Sequence, residues 1–140
     1  ALSQDTLVKE ILLRVQREMF TVGAELATTA GKHDQLKSSF SAVTTEMVEQ
    51  AERDIDDLDS QIDLPNSFII PGASAASGAL DVARTTLRRA ERRVVTLNEE
   101  QPFENPEVLR YLNRVSDLLF MLARYEDRAM PFERLTGDKA

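Results

Sequence analysis

The feature that most constrains the fold of this chain is a three-four spacing of apolar residues, which recurs in four separate segments. This step marks one face of an α-helix, which turns once in about 3.6 residues, whereas a half-buried strand alternates at every second residue. The segments are residues 5–27, 44–62, 75–97 and 106–126. The spacing therefore predicts an all-α protein, with a loop over residues 28–43 between the first two helices.

Each segment carries an apolar stripe, and the stripes predict the core. The expected core positions are, helix by helix, Val8, Ile11, Leu12, Val15, Met19, Phe20, Val22 and Leu26; Val48, Ala51, Ile55, Leu58 and Ile62; Leu80, Ala83, Leu87, Ala90, Val94 and Leu97; and Val108, Leu112, Val115, Leu119 and Leu122. Short connections make neighbouring helices antiparallel. Because 140 residues have room for one core, we expect a single antiparallel bundle over residues 1–140.

Local signals mark the helix ends. Thr44 is a suitable N-cap for the second helix, and Asn105 followed by Pro106 is typical of the start of the fourth. Pro71 and Gly72 predict a turn in the connector before the third helix. The helix boundaries are therefore expected close to the ranges given above.

Composition excludes several classes of protein. The chain has 24 acidic and 17 basic residues, and its net charge of -7 disfavours a general nucleic-acid binder. No apolar run approaches the ~20 residues of a membrane-spanning helix, so we expect a soluble, cytoplasmic protein with no membrane partner. Cysteine is absent and His33 is the only histidine, so no resident metal site is expected.

Five arginines within ten residues of the third helix are the strongest chemical signal. Arg84, Arg88 and Arg92 fall on successive turns of one helix edge, with Glu91 beside them. Guanidinium groups about 6 Å apart can each hold two phosphate oxygens, so this edge suits a triphosphate. A solvent-facing helix with intrahelical Arg–Glu pairs explains the same spacing and, from these residues alone, is the more common case.

Two other places also combine polar or aromatic residues with a position near the core. Asn113 and Asp117 share one side of the fourth helix, where they could face Arg88 or form a hydrogen-bond network that fixes helix register. Phe68 lies in the short apolar connector, where it could belong to the core or press on a flat ligand. The spacing alone leaves these alternatives open.

In combination, these segments resemble the ATP:cob(I)alamin adenosyltransferases of the propanediol-utilisation type. The resemblance rests on the motifs F-I-I-P-G, A-R-T, R-R-A-E-R-R, N-P-E-V and Y-L-N-R-V-S-D-L-L-F, which begin at Phe68, Ala83, Arg88, Asn105 and Tyr111. Residues 15–16 and 20–27 of the first helix match the family more weakly. The combination of motifs is much more specific than any one of them.

The resemblance implies a homotrimer of five-helix, ferritin-like bundles with active sites at the subunit interfaces. It also implies a transferase that moves the 5′-deoxyadenosyl group of ATP to the cobalt of reduced cob(I)alamin, giving adenosylcobalamin and triphosphate. The ligands implied are ATP, cob(I)alamin and Mg²⁺. Attack by a Co(I) nucleophile on the ribose 5′ carbon needs alignment and a stabilised polyanionic leaving group, and arginines together with Mg²⁺ can provide both without a general base.

The resemblance also assigns residues. Those implied to bind ATP are Arg88, Arg89, Ala90, Glu91, Arg92 and Asn113. Arg84 and Arg88 are the implied catalytic residues, and Arg84 matches an arginine that pairs in relatives with an aspartate of the first helix. Phe68 matches the aromatic residue that displaces the lower ligand of the corrinoid.

Two departures from the family pattern are visible in the sequence. Relatives carry a T-K-T-G-D-x-G phosphate loop followed by a helix with D-E-L-N, and neither occurs in these 140 residues. We therefore expect either a fragment or a chain whose disordered N-terminus is not represented, with four of the five helices of the bundle visible. Ala73 stands where the family usually has a second glycine after Pro71 and Gly72.

One alternative belongs to another class of protein. The chain would then be a non-catalytic helical module for oligomerisation or interaction, whose arginine edge meets an acidic partner. The eight carboxylates between Glu46 and Asp63, opposed by Arg53 alone, would allow another copy to be that partner.

Overall fold

A computed structural model describes residues 5–28, 42–64 and 69–130, and these residues form four α-helices. They are α1 (Thr6–Ala27), α2 (Thr45–Asp59), α3 (Ala75–Glu100) and α4 (Glu107–Glu126). The predicted all-α class is confirmed. Phe68, His33 and most of the loop at residues 28–43 lie outside the described residues.

The helix ends follow from their capping residues. Thr44 accepts a hydrogen bond from the backbone N–H of Met47 at 3.2 Å, as its position predicted. Asp5 caps α1 in the same way, and Ser74 caps α3. Helix α4 is assigned from Glu107, whose N–H donates to Oδ1 of Asn105 at 3.0 Å, so Asn105 supplies the capping oxygen across Pro106.

Helix α4 is the central helix of the described bundle, because it packs against each of the other three. Its predicted stripe of Val108, Leu112, Val115, Leu119 and Leu122 is fully buried. Further side chains of α4 are buried around this stripe: Tyr111, Ser116, Leu118, Met121, Ala123, Arg124 and Tyr125. Burial on several sides explains why α4 is apolar over most of its circumference.

The predicted stripes are too wide on two helices. Ala83, Ala90 and Leu97 of α3 are exposed, and so is Phe20 of α1, whose side chain is 83% exposed; their assignment to the core is wrong. Helix α3 packs chiefly against α4, so its buried residues in this region repeat every seventh position at Leu80, Leu87 and Val94. Between these apolar positions, the same seam holds the half-buried polar side chains of Arg84 and Glu91, which contact α4.

Polar groups join α1 to the helices around it. The buried Tyr111 hydroxyl of α4 donates to Oε1 of Glu18 at 3.0 Å, and Arg14 donates to Asp54 of α2. Burial raises the pKa of the Tyr111 phenol, and the Glu18 carboxylate raises it further. Tyr111 therefore remains protonated and keeps this hydrogen bond at neutral pH.

A second polar junction closes the end of the bundle where α1 stops and α4 begins. The Glu25 carboxylate accepts from Nδ2 of Asn105 at 2.9 Å and from the backbone N–H of Val43 at 3.0 Å. Nδ2 of Asn105 also donates to the Val43 carbonyl at 2.9 Å. Asn105 therefore ties three chain segments together while it caps α4.

Candidate ligand-binding site on α3 and α4

Three arginines of α3 form an exposed row, called the arginine row from here on. Arg88, Arg89 and Arg92 are exposed, and within the described ranges their side chains make no ion pair. Ala90 is exposed between them. Positive charge held on one helix without acidic partners is suited to an anionic ligand.

Glu91 points towards α4 instead of pairing with the arginines. Its Oε2 accepts a hydrogen bond from Nδ2 of Asn113 at 3.2 Å. The intrahelical Arg–Glu pairs of the simpler interpretation therefore do not form, and the structure brings Glu91 and Asn113 together beside the arginine row. Charge on the carboxylate makes this contact stronger than an amide–amide hydrogen bond.

Asp117 makes no ion pair with Arg88. It pairs with Arg114 of its own helix at 3.0 Å, and the same Arg114 donates to Oδ1 of Asn113 at 2.6 Å. The amide of Asn113 is therefore held from both ends, by Glu91 across the seam and by Arg114 alongside. This fixes the direction of an exposed side chain that would otherwise sample several rotamers.

Arg84 lies one helical turn before Arg88, at the N-terminal end of the arginine row, and has a different environment. Its guanidinium carbon stands over the ring of Phe120 at 5.2 Å from the centroid, within the range of a cation–π contact. In the part of the chain that is described, no aspartate pairs with Arg84, and its Nε is buried without a hydrogen-bond partner. The pairing with an aspartate that the resemblance implies is not formed by these residues.

Three residues of this region were missed from the sequence: Phe120, Arg124 and Asp81. The guanidinium of Arg124 lies 5.0 Å from the same ring centroid and donates to Oδ2 of Asp81 at 2.7 Å. The signal available was their spacing, since Asp81 is three residues before Arg84 and Phe120 is four before Arg124, which places each pair on one helix face.

These contacts define the register of α3 against α4. Three pairs contact each other across the seam: Asp81 and Arg124, Arg84 and Phe120, and Glu91 and Asn113. Because the residue numbers rise along α3 while those of the partners fall along α4, the two helices run antiparallel. The same register places Arg88 level with Ser116. The Ser116 hydroxyl is buried and has no hydrogen-bond partner among the described residues.

The predicted turn before α3 is present. Gly72 has φ of 81°, which only glycine adopts readily, and Pro71 precedes it as in a type II turn. Phe68, assigned to the corrinoid by the resemblance, lies outside the described residues, so its position relative to the row is not described. Within the described ranges, no group of three or more metal-ligating side chains comes together.

The described helical bundle thus carries an arginine row without ion pairs among the described residues, beside a hydrogen bond between Glu91 and Asn113 of neighbouring helices. Residues 1–126 match the family model for cobalamin adenosyltransferase. The chain belongs to the cobalamin adenosyltransferase family. The resemblance on which the sequence interpretation relied is thereby confirmed, and the interaction module without catalytic function is not favoured.

Relatives and solved structures agree with the family assignment. The chain is 40% identical over 113 residues to a corrinoid adenosyltransferase of Bacillus subtilis, with 81% of this chain and 55% of that protein covered. It is 37% identical over 119 residues to corrinoid adenosyltransferase PduO of Citrobacter freundii, with 85% of this chain and 34% of that protein covered. The chain therefore spans about a third to a little over half of these two curated relatives.

The backbone is similar to that of a PduO-type ATP:corrinoid adenosyltransferase from Lactobacillus reuteri. A phenylalanine-to-alanine variant of that enzyme, complexed with cobalamin and ATP, superposes with a TM-score of 0.81 at 32% identity, covering 94% of this chain and 72% of that one. An arginine-to-lysine variant complexed with ATP gives a TM-score of 0.80 at 32% identity, covering 93% and 71%. None of the described helices is both long and apolar enough to cross a membrane.

Proposed function

We propose that the protein transfers the 5′-deoxyadenosyl group of ATP to the cobalt of cob(I)alamin, giving adenosylcobalamin and triphosphate. Family membership supports this proposal, as do relatives that carry the name corrinoid adenosyltransferase. Solved structures with a similar backbone contain ATP and cobalamin, the two substrates that the reaction requires.

The observation that carries the proposal is the unpaired row of Arg88, Arg89 and Arg92. Triphosphate leaves as a polyanion, so the transition state gains negative charge on the phosphate chain. Guanidinium groups with no acidic partner among the described residues need break no ion pair there before they bind phosphate oxygens. The row can therefore stabilise the leaving group, and Arg88 is the arginine that we assign to this role in catalysis.

The Glu91–Asn113 contact supports a nucleotide site beside the row. We assign both side chains to the nucleotide, with Arg88, Arg89, Ala90 and Arg92 lining the phosphate chain. Arg84, at the far end of the row, is assigned a catalytic role next to the reacting groups. Phe68 is assigned to the corrinoid through the family motif that it begins.

Magnesium belongs to the nucleotide in this proposal. Mg²⁺ is usually bound by one or two carboxylates together with substrate phosphates. The described residues contain no cluster of three or more ligating side chains, which fits a cation that enters as MgATP.

We also propose a cytoplasmic homotrimer with active sites between subunits. Large apolar side chains on the surfaces of α1 and α3, among them Phe20, Val82 and Leu97, support the burial of these faces against further protein. The absence of cysteine is in keeping with a reducing compartment.

An adenosylation assay with an arginine variant tests the proposed function. The protein is mixed with chemically reduced cobalamin and MgATP, and the corrinoid spectrum is followed as adenosylcobalamin forms. Arg88→Ala should lower kcat/KM about a hundredfold, the typical effect of removing one preorganised donor to a developing anion.

Arg93→Ala is the matched control, because Arg93 is an exposed arginine of the same helix that is not assigned to the site. It should stay within about twofold of the unmodified protein. Normal turnover in both Arg88→Ala and Glu91→Ala would contradict the assignment of this row to the nucleotide.

A further inference from the structure

The ring of Phe120 lies against two guanidinium groups that belong to different helices. The Arg84 guanidinium carbon of α3 is 5.2 Å from the ring centroid, and that of Arg124, four residues on in α4, is 5.0 Å from it. Both distances fall within the ~6 Å range of cation–π contacts. Phe120 is therefore the side chain through which α4 reaches the end of the arginine row.

The two arginines differ in how their charge is balanced. Arg124 is 3% exposed, and its charge is neutralised by Asp81 at 2.7 Å. Arg84 is half-buried, has no carboxylate partner among the residues described, and has a buried Nε with no hydrogen-bond acceptor. Counted over the described residues, the cluster of Asp81, Arg84 and Arg124 therefore carries one excess positive charge, which lies on Arg84.

We propose that Phe120 is a positioning residue for the transfer reaction and that it acts by holding the Arg84 guanidinium at the end of the arginine row. The inference rests on the proposed function, because it concerns how an arginine of that same site is held. Phe120 touches Arg84 and is not itself placed against substrate.

An aromatic ring is suited to this task because it attracts a cation without neutralising it. The quadrupole of the ring carries no net charge, so Arg84 keeps its positive charge for a further partner, either an anionic ligand or the aspartate that the resemblance implies. The pair of Asp81 and Arg124 supports the ring from the α4 side and brings no excess charge with it.

Substitutions at Phe120 separate the ring face from simple packing. Phe120→Leu keeps an apolar side chain but removes the π-face, and Phe120→Tyr keeps both. We expect Phe120→Leu to lower kcat/KM about tenfold and Phe120→Tyr to stay within about twofold, given the strength of partly desolvated cation–π contacts. Phe103→Leu, a half-buried phenylalanine packed against the same core, is the matched control and should stay within about twofold.

A double-mutant cycle tests whether the effect passes through Arg84. In an Arg84→Ala background, Phe120→Leu should cause no further loss, because the group that the ring holds is already absent. The proposal is overturned if Phe120→Leu and Phe120→Tyr lose activity alike. It is also overturned if the loss from Phe120→Leu is as large in the Arg84→Ala background as in the unmodified protein.

A ligand-free measurement keeps this proposal separate from the proposed function. The Cδ protons of Arg84 should show an upfield ring-current shift by NMR, which Phe120→Leu removes and Phe120→Tyr retains. If the unmodified protein fails to form adenosylcobalamin, the proposed function fails, and this shift still decides whether Phe120 holds Arg84. Absence of the shift in the unmodified protein overturns the inference directly.

Discussion

At the scale of single residues, two ion pairs near the site show how burial determines what an ion pair contributes to the free energy of unfolding. The Arg124 and Asp81 side chains are 3% and 19% exposed, whereas those of Arg114 and Asp117 are 38% and 47% exposed. In the exposed pair, water solvates either charge after its partner is removed. In the buried pair, Arg124 would remain desolvated with no counterion.

Removal of the two aspartates should therefore have unequal effects on stability. Asp81→Ala should lower the free energy of unfolding by about 3 kcal/mol, because it leaves a buried guanidinium unpaired. Asp117→Ala, the matched control, should cost less than about 1 kcal/mol. Urea denaturation of both variants measures the difference, and equal midpoints would show that burial gives the Asp81 pair no larger contribution to stability than the exposed pair has.

At the scale of helices, Ser74 connects the start of α3 to the end of α4. Its hydroxyl accepts from the Ser77 N–H at 3.2 Å and donates to Oδ1 of Asp127 at 2.6 Å. The Ser77 hydroxyl accepts in return from the Ser74 N–H at 3.1 Å. Asp127 is 3% exposed, so this serine both caps one helix and satisfies a buried carboxylate at the end of the next.

Substitution of each capping residue by alanine separates the effect of a helix cap from the effect of the contact with Asp127. Thr44→Ala removes a cap alone and should cost about 1 kcal/mol of unfolding free energy. Ser74→Ala removes a cap and also leaves the Asp127 carboxylate without its donor, so it should cost about 2 to 4 kcal/mol. Thermal unfolding followed by circular dichroism gives the ranking, and a smaller effect from Ser74→Ala than from Thr44→Ala would contradict the role assigned to the Asp127 contact.

At the scale of the whole molecule, the described bundle leaves large apolar side chains at its surface. Phe20 is 83% exposed and Val82 is 65% exposed, on α1 and α3 respectively. Both helices also have faces that no other described helix covers, since α3 packs chiefly on α4. Large apolar side chains exposed on an uncovered helix face are typical of a surface that further protein covers.

The proposed trimer makes a direct prediction about mass. Sedimentation equilibrium should give three times the mass of one chain at micromolar concentration. The interface should persist at high salt. Dissolved salt screens the attraction between exposed charges, but it does not weaken the hydrophobic stabilisation of buried apolar surface. A single-chain mass at all concentrations would refute the trimer and any active site shared between subunits.

Much of the architecture follows from the sequence because its causes are local. Helix periodicity, the Thr44 cap and the turn at Gly72 each depend on residues within a few positions of one another. The α4 stripe was also predicted correctly, since α4 has neighbours on several sides and almost every apolar residue on it is buried. The same reasoning failed at Ala83 and Phe20, because periodicity shows that a helix face is apolar but not how many helices cover it.

The sequence by itself determined the helices, their order and the arginine-rich stretch that identifies the family. Only the tertiary structure decided which of these groups meet: Arg124 and Asp81 are 43 residues apart, and Ser74 and Asp127 are 53 apart. Such pairs depend on the register of one helix against another, which is set by packing along the whole seam. Tertiary packing thus determined that Arg84 rests on Phe120 and that Glu91 turns to Asn113 and leaves the arginines unpaired.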